Sequence, residues 1–265
     1  MLQKVFLTLV LLVIPHALWA QTDAVERFLV PVYLAGPTPG AFGSVWVSEL
    51  RILNAGATNA AIENFGVMNQ TGLFTPETLP PNVEIAGRRV NNAVSVANPG
   101  ALLLVRSEFA DQLAFQARVR DTSREAQGWG TWLPVVHESA ASTSPLHLLD
   151  IPVDPRYRQM LRVYSFDRTA GRAVRVRVYA TRENAQFPTS SDSLINEVSL
   201  PLQVIGSEAQ PSYAQIADLA FLPGIAGHNR VRVTIEPQGD FGIWAMVSIT
   251  NNVTQEVTMI VPKRR

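Results

Sequence analysis

Histidine is the side chain most suited to general acid–base chemistry near neutral pH, and the chain carries four histidines. No two of them stand at the i, i+4 spacing of a helical zinc site, so the HExxH pattern of a zinc protease is absent. His137 is followed directly by Glu138, which would give a hydrolase its base and a carboxylate partner. The alternative is a solvated pair in a linker, and we rank the hydrolase below the non-enzymatic hypotheses.

Motifs for nucleophilic, phosphate and metal chemistry are missing as well. The sequence has no G-x-S-x-G elbow and no G-x-x-x-x-G-K-[ST] loop. It has no cysteine, which excludes thiolate catalysis, zinc–thiolate sites and disulfides. Its aspartates are scattered rather than gathered in the converging loop that calcium requires. We therefore predict no catalytic residue, no metal and no cofactor.

Aromatic side chains give the first indication of binding. Trp129 and Trp132 lie three residues apart in GWGTW, a spacing that puts strand residues on opposite faces. One of the rings could stack on a sugar, which would make the protein a carbohydrate-binding module. The alternative places Trp132 in the core and Trp129 over a domain junction. Phe42 is a further ligand-binding candidate because it lies in the Gly- and Pro-rich loop AGPTPGAFGS.

Arginine supplies nearly all of the positive charge. We expect Arg162, Arg175 and Arg177 to share the outer face of one hairpin, where their guanidinium groups would hold an acidic polysaccharide or a partner domain. The alternative is an ordinary solvated face that acidic neighbours neutralise. The formal net charge of the chain is zero, which argues against nucleic-acid binding because that function needs a basic footprint.

The elements that must position these side chains are β-strands almost throughout. AVRVRVYA alternates Val174, Val176 and Val178 with arginine, the period-two pattern of an antiparallel strand with one buried face. Clusters of Gly, Pro, Asn and Asp separate such runs at the short intervals typical of sandwiches and barrels. Helix is expected only in residues 212–222 and 91–97.

One pattern occurs twice. Residues 46–67 (WVSELRILNAGATNAAIENFGV) and 157–179 (YRQMLRVYSFDRTAGRAVRVRVY) are each interpreted as a β-hairpin around a polar turn. Further matches keep the same order along the chain: Leu50-Arg51-Ile52 with Leu161-Arg162-Val163, Leu79-Pro80 with Leu200-Pro201, Glu108 with Glu236, and AFQARVRD with WAMVSITN. Chance likeness between antiparallel strands is the alternative, but the unbroken order favours duplication.

We therefore predict an all-β chain with two tandem antiparallel β-sandwich domains. The first occupies residues 26–137 and the second residues 146–262, and both lengths suit a sandwich of about seven strands. Residues 138–145 (ESAASTSP) are small and polar, which is typical of a linker.

The first 20 residues have the pattern of a secretory signal peptide. Lys4 gives a positive start, residues 5–14 are apolar apart from Thr8, and the segment closes with Ala-Leu-Trp-Ala at Ala20. The apolar run is shorter than the roughly 20 residues of a spanning helix, although a single membrane anchor is the alternative. We expect cleavage after Ala20 and export of a soluble chain to the periplasm, the cell surface or the medium.

The series VPVYLAGPTPGAFGSVW, LPP, GALLLV, LPVV and WAMVSITNNVTQEVTMIVP resembles a group of uncharacterised exported bacterial proteins with tandem immunoglobulin-like β-sandwich modules. The motifs behind this resemblance are structural: a Gly-rich loop before a Trp-bearing strand, Asn at turns and Pro at strand ends. The resemblance implies an immunoglobulin-like fold and export, and it brings no catalytic residue.

The sequence thus favours a non-catalytic structural or interaction protein of adhesion type, which acts through loops and sheet faces. A carbohydrate-binding module that uses Trp129 or the AGPTPGAFGS loop is the alternative, and a hydrolase near the linker comes third. The partner would be a protein or a polysaccharide at the cell surface, with no nucleic acid and no membrane after signal cleavage. The oligomeric state does not follow from the sequence.

Overall fold

The computed structural model describes residues 24–34, 36–68, 74–86, 89–90, 100–124, 130–181, 193–206 and 208–262. These residues form nineteen strands, one α-helix of a single turn and four short 3-10 helices. All strand pairs are antiparallel, so the prediction of an all-β chain is confirmed. Within this part of the chain, no helix has the length and apolar character needed to cross a membrane. The signal-peptide prediction for residues 1–20 falls outside the described residues.

We call residues 24–137 the first lobe and residues 146–262 the second lobe. The strands of the first lobe are β1 Val25–Val30, β2 Thr38–Pro39, β3 Val45–Asn54, β4 Ala60–Met68, β5 Phe74–Leu79, β6 Glu84–Ala86, β7 Arg89–Val90, β8 Ala101–Arg106, β9 Leu113–Asp121, β10 Thr131–Leu133 and β11 Val136–His137. Those of the second lobe are β12 Leu146–Pro152, β13 Tyr157–Ser165, β14 Ala173–Ala180, β15 Leu194–Pro201, β16 Ser212–Ile216, β17 Arg230–Pro237, β18 Trp244–Asn251 and β19 Val257–Ile260. Helix α1 is Ser107–Ala110, and the 3-10 helices are Ala41–Gly43, Thr122–Arg124, Glu138–Ala140 and Leu219–Phe221.

The second lobe consists of two four-stranded sheets that pack around one apolar core. Their strand orders are β12-β17-β14-β15 and β16-β13-β18-β19. Val174, Val176 and Val178 of β14 are fully buried in this core, whereas the arginines between them lie on the opposite, partly exposed face. The period-two pattern in the sequence therefore predicts correctly which face of β14 is covered.

The first lobe repeats the same strand order. One of its sheets contains the order β1-β8-β4-β5, and the other contains β6-β3-β9-β10. The short strands β11, β7 and β2 extend these sheets beside β1, β4 and β3. The register agrees with the sequence matches as well, since Leu50 lies opposite Ala117 and Leu161 lies opposite Val247. One match fails, because Glu108 lies in helix α1 whereas Glu236 lies in β17.

The interpretation of the repeated segments as hairpins is wrong. Strands β3 and β4 belong to different sheets, and so do β13 and β14. Each connection passes from one sheet to the other, which puts the apolar faces of two successive strands in the same core, where Ile52 and Ile62 are both fully buried. Asn54 fixes the first crossing: its buried amide donates to the carbonyl oxygens of Thr58 and Leu79. Polar turn residues therefore mark an arch between sheets here.

The helix predicted in residues 212–222 is also wrong. Strand β16 occupies its start and pairs with β13 from Ser212 to Ile216, and only Leu219–Phe221 makes a 3-10 turn. The sheet ladder satisfies the backbone of this segment and buries Tyr213 and Ala214 at the same time. The helix prediction for residues 91–97 falls outside the described residues.

The two lobes share an apolar cluster. The second lobe contributes Tyr164, Phe166, Ala209, Tyr213, Trp244 and Met246 to the core of the first. The fully buried hydroxyl of Tyr164 donates to the carbonyl oxygen of Pro31, and burial raises the pKa of this phenol. The predicted linker contacts both lobes, since Glu138 pairs with Arg27 at 2.6 Å and the backbone of Ser142 bridges to Ile243.

Candidate functional site

A cleft of about 410 Å³ lies between the lobes, where the outer face of the second lobe's β16-β13-β18-β19 sheet meets the first lobe. We call it the interlobe cleft. The first lobe lines it with Val32, Leu34, Thr38, Pro39, Ala41, Trp46 and Val119, and the second with Arg158, Met160, Arg162, Ala217, Ser248, Thr250, Val257 and Met259. The lining is therefore mainly apolar, with two arginines on one side.

Strand alternation decides which side chains reach this cleft. Leu161 and Val163 of β13 point into the core of the second lobe, so Arg158, Met160 and Arg162 lie on the opposite face. In the sheet, Met160 lies opposite Ser248, which in turn lies opposite Met259 on β19. The floor of the cleft is thus a row of apolar and small side chains with an arginine at either end of the β13 segment.

The Gly- and Pro-rich loop forms the rim of the cleft. Its strand β2 pairs with the start of β3, and Ser44 is buried, accepting a hydrogen bond from the indole nitrogen of Trp46 at 2.8 Å. Gly40 has no room for a side chain, because a Cβ there would collide with Ser44 and Trp46. These contacts hold the rim against the first lobe.

Phe42 is the exposed tip of this rim. Its backbone has φ 56°, in the left-handed region that non-glycine residues seldom adopt, and its side chain is 66% exposed. The guanidinium carbon of Arg158 lies 5.1 Å from the centroid of the Phe42 ring. The structure therefore joins one of the predicted ligand-binding residues to an arginine that the sequence analysis did not select.

The two cleft arginines lack carboxylate partners among the described residues. Arg158 donates through Nη2 to Gln255 at 3.0 Å, but its buried Nη1 has no hydrogen-bond partner. Arg162 reaches only the hydroxyl of Ser248, at 3.5 Å, and its buried Nε has none. Two cationic groups are thus partly desolvated without compensation from an opposite charge.

The other predicted arginines differ in both place and charge balance. Arg175 and Arg177 lie on β14, in the sheet that does not contain β13, so the prediction that Arg162 shares their face is wrong. Arg177 pairs with Glu197 at 2.7 Å and with Glu236 at 2.9 Å, and Arg175 lies 3.8 Å from Glu197. Arg177 also lines a larger cleft of about 870 Å³ beside the linker, but its charge is already neutralised there.

A second cleft of about 380 Å³ adjoins the first and shares Trp46 and Val257 with it. Asp121 lines this cleft and accepts hydrogen bonds from the backbone of Val45 and from Ser123. Burial on its own raises the pKa of this carboxyl group, but these hydrogen bonds outweigh it and hold the pKa below its usual value. Asp121 is therefore an ionised group with a structural role, since its carboxylate accepts the backbone N–H of Val45 at the start of β3.

Trp132 lies on the surface, so the interpretation that places it in the core is wrong. Its neighbour Leu133 faces the core of the first lobe, which directs the indole outward with 43% exposure. The guanidinium of Arg118 lies 5.2 Å from the ring, and Glu49 continues the row across the sheet. Burial raises the pKa of Glu49, but hydrogen bonds from Arg118 and Arg120 bring it below its usual value. Trp129 lies outside the described residues.

His137 is hydrogen-bonded to a carboxylate, but the carboxylate is not that of Glu138. Its Nε2 lies 2.7 Å from Glu26, and its Nδ1 accepts from the backbone N–H of Ser139 at 3.2 Å, with the Ser139 hydroxyl 2.7 Å away. Glu138 is engaged with Arg27 instead. His137 thus caps the 3-10 helix that follows it, and the Ser139 N–H that might have stabilised an oxyanion is already bonded.

Arg158 and Met160 were not predicted as site residues, although the alternation in YRQMLRVYS contains the signal. Leu161 and Val163 are both apolar and lie two residues apart, so they share the buried face of the strand. Met160 and Arg158, two and four residues before Arg162, therefore lie on the same opposite face as Arg162. The sequence does not show what packs against that face. Only the structure shows that the first lobe covers part of it.

Neither a metal site nor a known relative indicates the function. Within the described ranges, no group of three His, Asp or Glu side chains is close enough to hold a metal ion. Comparison of the chain with protein-family models, with curated proteins and with solved structures found no match.

Proposed function

We propose that the protein is an exported, non-catalytic interaction protein of adhesion type, which binds its partner in the interlobe cleft. The observation behind this proposal is the pair of arginines, Arg158 and Arg162, each with a buried nitrogen that has no hydrogen-bond partner in the described part of the chain. Desolvating a cation without a partner costs free energy. A ligand that supplied carboxylate partners to both guanidinium groups would offset this cost.

The proposed architecture is two tandem immunoglobulin-like β-sandwich modules with a modified strand order. In the immunoglobulin order, the first strand lies beside the second and the seventh beside the sixth. Here β12, the first strand of the second lobe, lies beside the sixth, β17, while the seventh, β18, lies beside the second, β13. The same exchange of the first and seventh strands in both lobes supports a duplicated module.

The proposal of export rests on the first 20 residues, with Lys4, the apolar run and Ala20. The choice of a binding protein over a hydrolase rests on the hydrogen bonds of His137, which cap a 3-10 helix and occupy the N–H of Ser139.

The test blocks the cleft without changing the charge of the protein. Thr250 lies on β18 opposite Arg158 and lines the cleft, so Thr250→Trp fills part of its volume. Ser199 is an exposed residue of β15 in the sheet that does not contain β18, so Ser199→Trp is the matched control. The probes are a phage-displayed library of random peptides and a glycan array, applied to the full mature chain.

We expect the probes that wild-type protein selects to bind Ser199→Trp equally and to lose binding to Thr250→Trp. Selection of no probe, or selected probes that bind Thr250→Trp as well as wild type, would overturn the proposal. Circular dichroism and thermal melting show whether both variants remain folded.

A second candidate function is carbohydrate binding through Trp132. The observation that favours it is an indole ring that is 43% exposed on a sheet face beside Arg118 and Glu49, a polar setting in which an aromatic face can stack on a sugar. Trp132→Ala would then abolish selected glycan binding while Thr250→Trp leaves it intact. Retention of glycan binding by Trp132→Ala would remove this candidate.

A further inference from the structure

The arginines of the interlobe cleft differ from their counterpart in the first lobe. The repeat matches Arg162 with Arg51, which pairs with Glu84 of the neighbouring strand β6 at 2.6 Å. The corresponding strand of the second lobe is β16, which reads SYAQI and contains no acidic residue. The strand beside Arg162 therefore offers no carboxylate of the kind that neutralises Arg51, and Arg162 is the arginine that lines the cleft.

From this contrast we infer that Arg158 and Arg162 bind an extended peptide segment that carries two carboxylates four residues apart with an apolar residue midway. Because β13 rises about 3.3 Å per residue, the two arginines are roughly 13 Å apart along the strand. An extended ligand has the same rise and places alternate side chains on one face, so its first, third and fifth residues match Arg158, Met160 and Arg162. The inference deepens the proposed function and rests on it.

The lining of the cleft favours a peptide over an acidic polysaccharide. Met160 lies between the two arginines along β13, and Met259, Val32, Leu34 and Val257 also line the cleft. An aliphatic side chain gains free energy on entering such surroundings, whereas sugar hydroxyl groups would lose hydrogen bonds to water there. The guanidinium groups, with their donors in a planar fork, match carboxylates in both charge and geometry.

The experiment measures the binding of short blocked peptides to the full mature chain by calorimetry. The test peptide contains Glu-Thr-Leu-Thr-Glu, a second replaces both Glu by Gln, and a third, Glu-Leu-Thr-Glu-Thr, puts its carboxylates on opposite faces of an extended chain. Tetragalacturonate represents an acidic polysaccharide. The protein variants are Arg162→Gln, Arg162→Lys and, as a matched control, Arg51→Gln in the first lobe.

We expect the Glu-Thr-Leu-Thr-Glu peptide to bind more tightly than either other peptide or tetragalacturonate, with a Kd that rises with salt. Arg162→Gln should raise this Kd roughly ten-fold or more, Arg162→Lys should raise it less, and Arg51→Gln should leave it unchanged. Because Arg162 has no carboxylate partner to lose among the residues that the structure describes, Arg162→Gln should not lower the melting temperature, which separates a binding role from a structural one.

Several results would overturn this inference. They are equal binding of the Gln peptide, equal binding of the peptide with opposed carboxylates, tighter binding of tetragalacturonate, and a Kd that Arg162→Gln leaves unchanged. If Thr250→Trp still abolishes the binding of library probes in any of these cases, the cleft remains the binding site and only the assigned ligand class fails. If Thr250→Trp has no effect on any probe, the proposed function itself fails.

Discussion

Leucine at equivalent positions of the two lobes offers a direct measure of how strongly the lobes depend on one another. Leu50 is 4% exposed in the first lobe and Leu161 is fully buried in the second, and the repeat places both at the same point of the strand order. Truncation of a buried leucine to alanine costs about 3 kcal/mol through lost burial and the cavity left behind. For a chain of this size, that cost lowers the melting temperature by roughly 6–12 °C.

Because the lobes share an apolar cluster, we expect them to unfold in a single transition, and we expect Leu50→Ala and Leu161→Ala each to lower its midpoint temperature. Trp244 and Met246 of the second lobe are buried in the core of the first. Unfolding of the second lobe therefore leaves the first lobe's core incomplete, and unfolding of the first lobe exposes these two side chains. Differential scanning calorimetry of residues 21–265 provides the assay. Leu194→Ala, at a leucine that is 53% exposed, is the control and should shift the midpoint by less than about 2 °C. Two resolved transitions, with each buried variant moving only one of them, would show that the lobes unfold independently.

Two further changes test individual contacts. Glu49→Gln should lower the free energy of unfolding by about 1–2 kcal/mol at pH 7, since it removes a pair with Arg118 that is only partly screened by solvent. The folded pKa of Glu49 lies below the ordinary 4.5, so its contribution is complete above pH 4.5 and disappears as the pH falls through the folded pKa; urea unfolding of the two proteins should therefore converge in acid, and a constant difference down to pH 3 would contradict this. Tyr164→Phe should cost about 1–2 kcal/mol because the buried carbonyl of Pro31 loses its donor, and urea unfolding that matches wild type would show that this hydrogen bond does not help to join the lobes.

Much of the fold could be predicted because strand residues obey a strict alternation. Val174 and Val176 were placed on the buried face from their spacing alone, and the match of Leu50 with Leu161 agrees with the register of both sheets. The sequence does not predict to which of the two sheets a strand belongs. A polar turn such as that after Asn54 satisfies a hairpin and an arch between sheets equally well, and only packing of the apolar faces decides between them.

The candidate site could be predicted only in parts. The Gly- and Pro-rich loop with Phe42 and the arginine at position 162 were both recognisable from residue type, and they line opposite sides of one cleft. Their proximity depends on contacts between residues far apart in the chain, which no local pattern encodes. The exposure of Trp132 was missed for a related reason: an aromatic residue in a strand is equally compatible with a core position and an outer face.

The most direct test of whether Arg158 and Arg162 contact the ligand is to observe their side chains. Nitrogen-15 NMR of the Arg Nε–H groups, assigned with Arg158→Lys and Arg162→Lys, reports which guanidinium a ligand contacts. On addition of the Glu-Thr-Leu-Thr-Glu peptide, the account predicts that the Arg158 and Arg162 signals shift and that the Arg162 Nε–H exchanges more slowly with water, while the paired Arg177 is unaffected. Binding that leaves Arg158 and Arg162 unchanged, or that shifts Arg175 and Arg177 of β14 instead, would contradict the assignment of the interlobe cleft as the binding site.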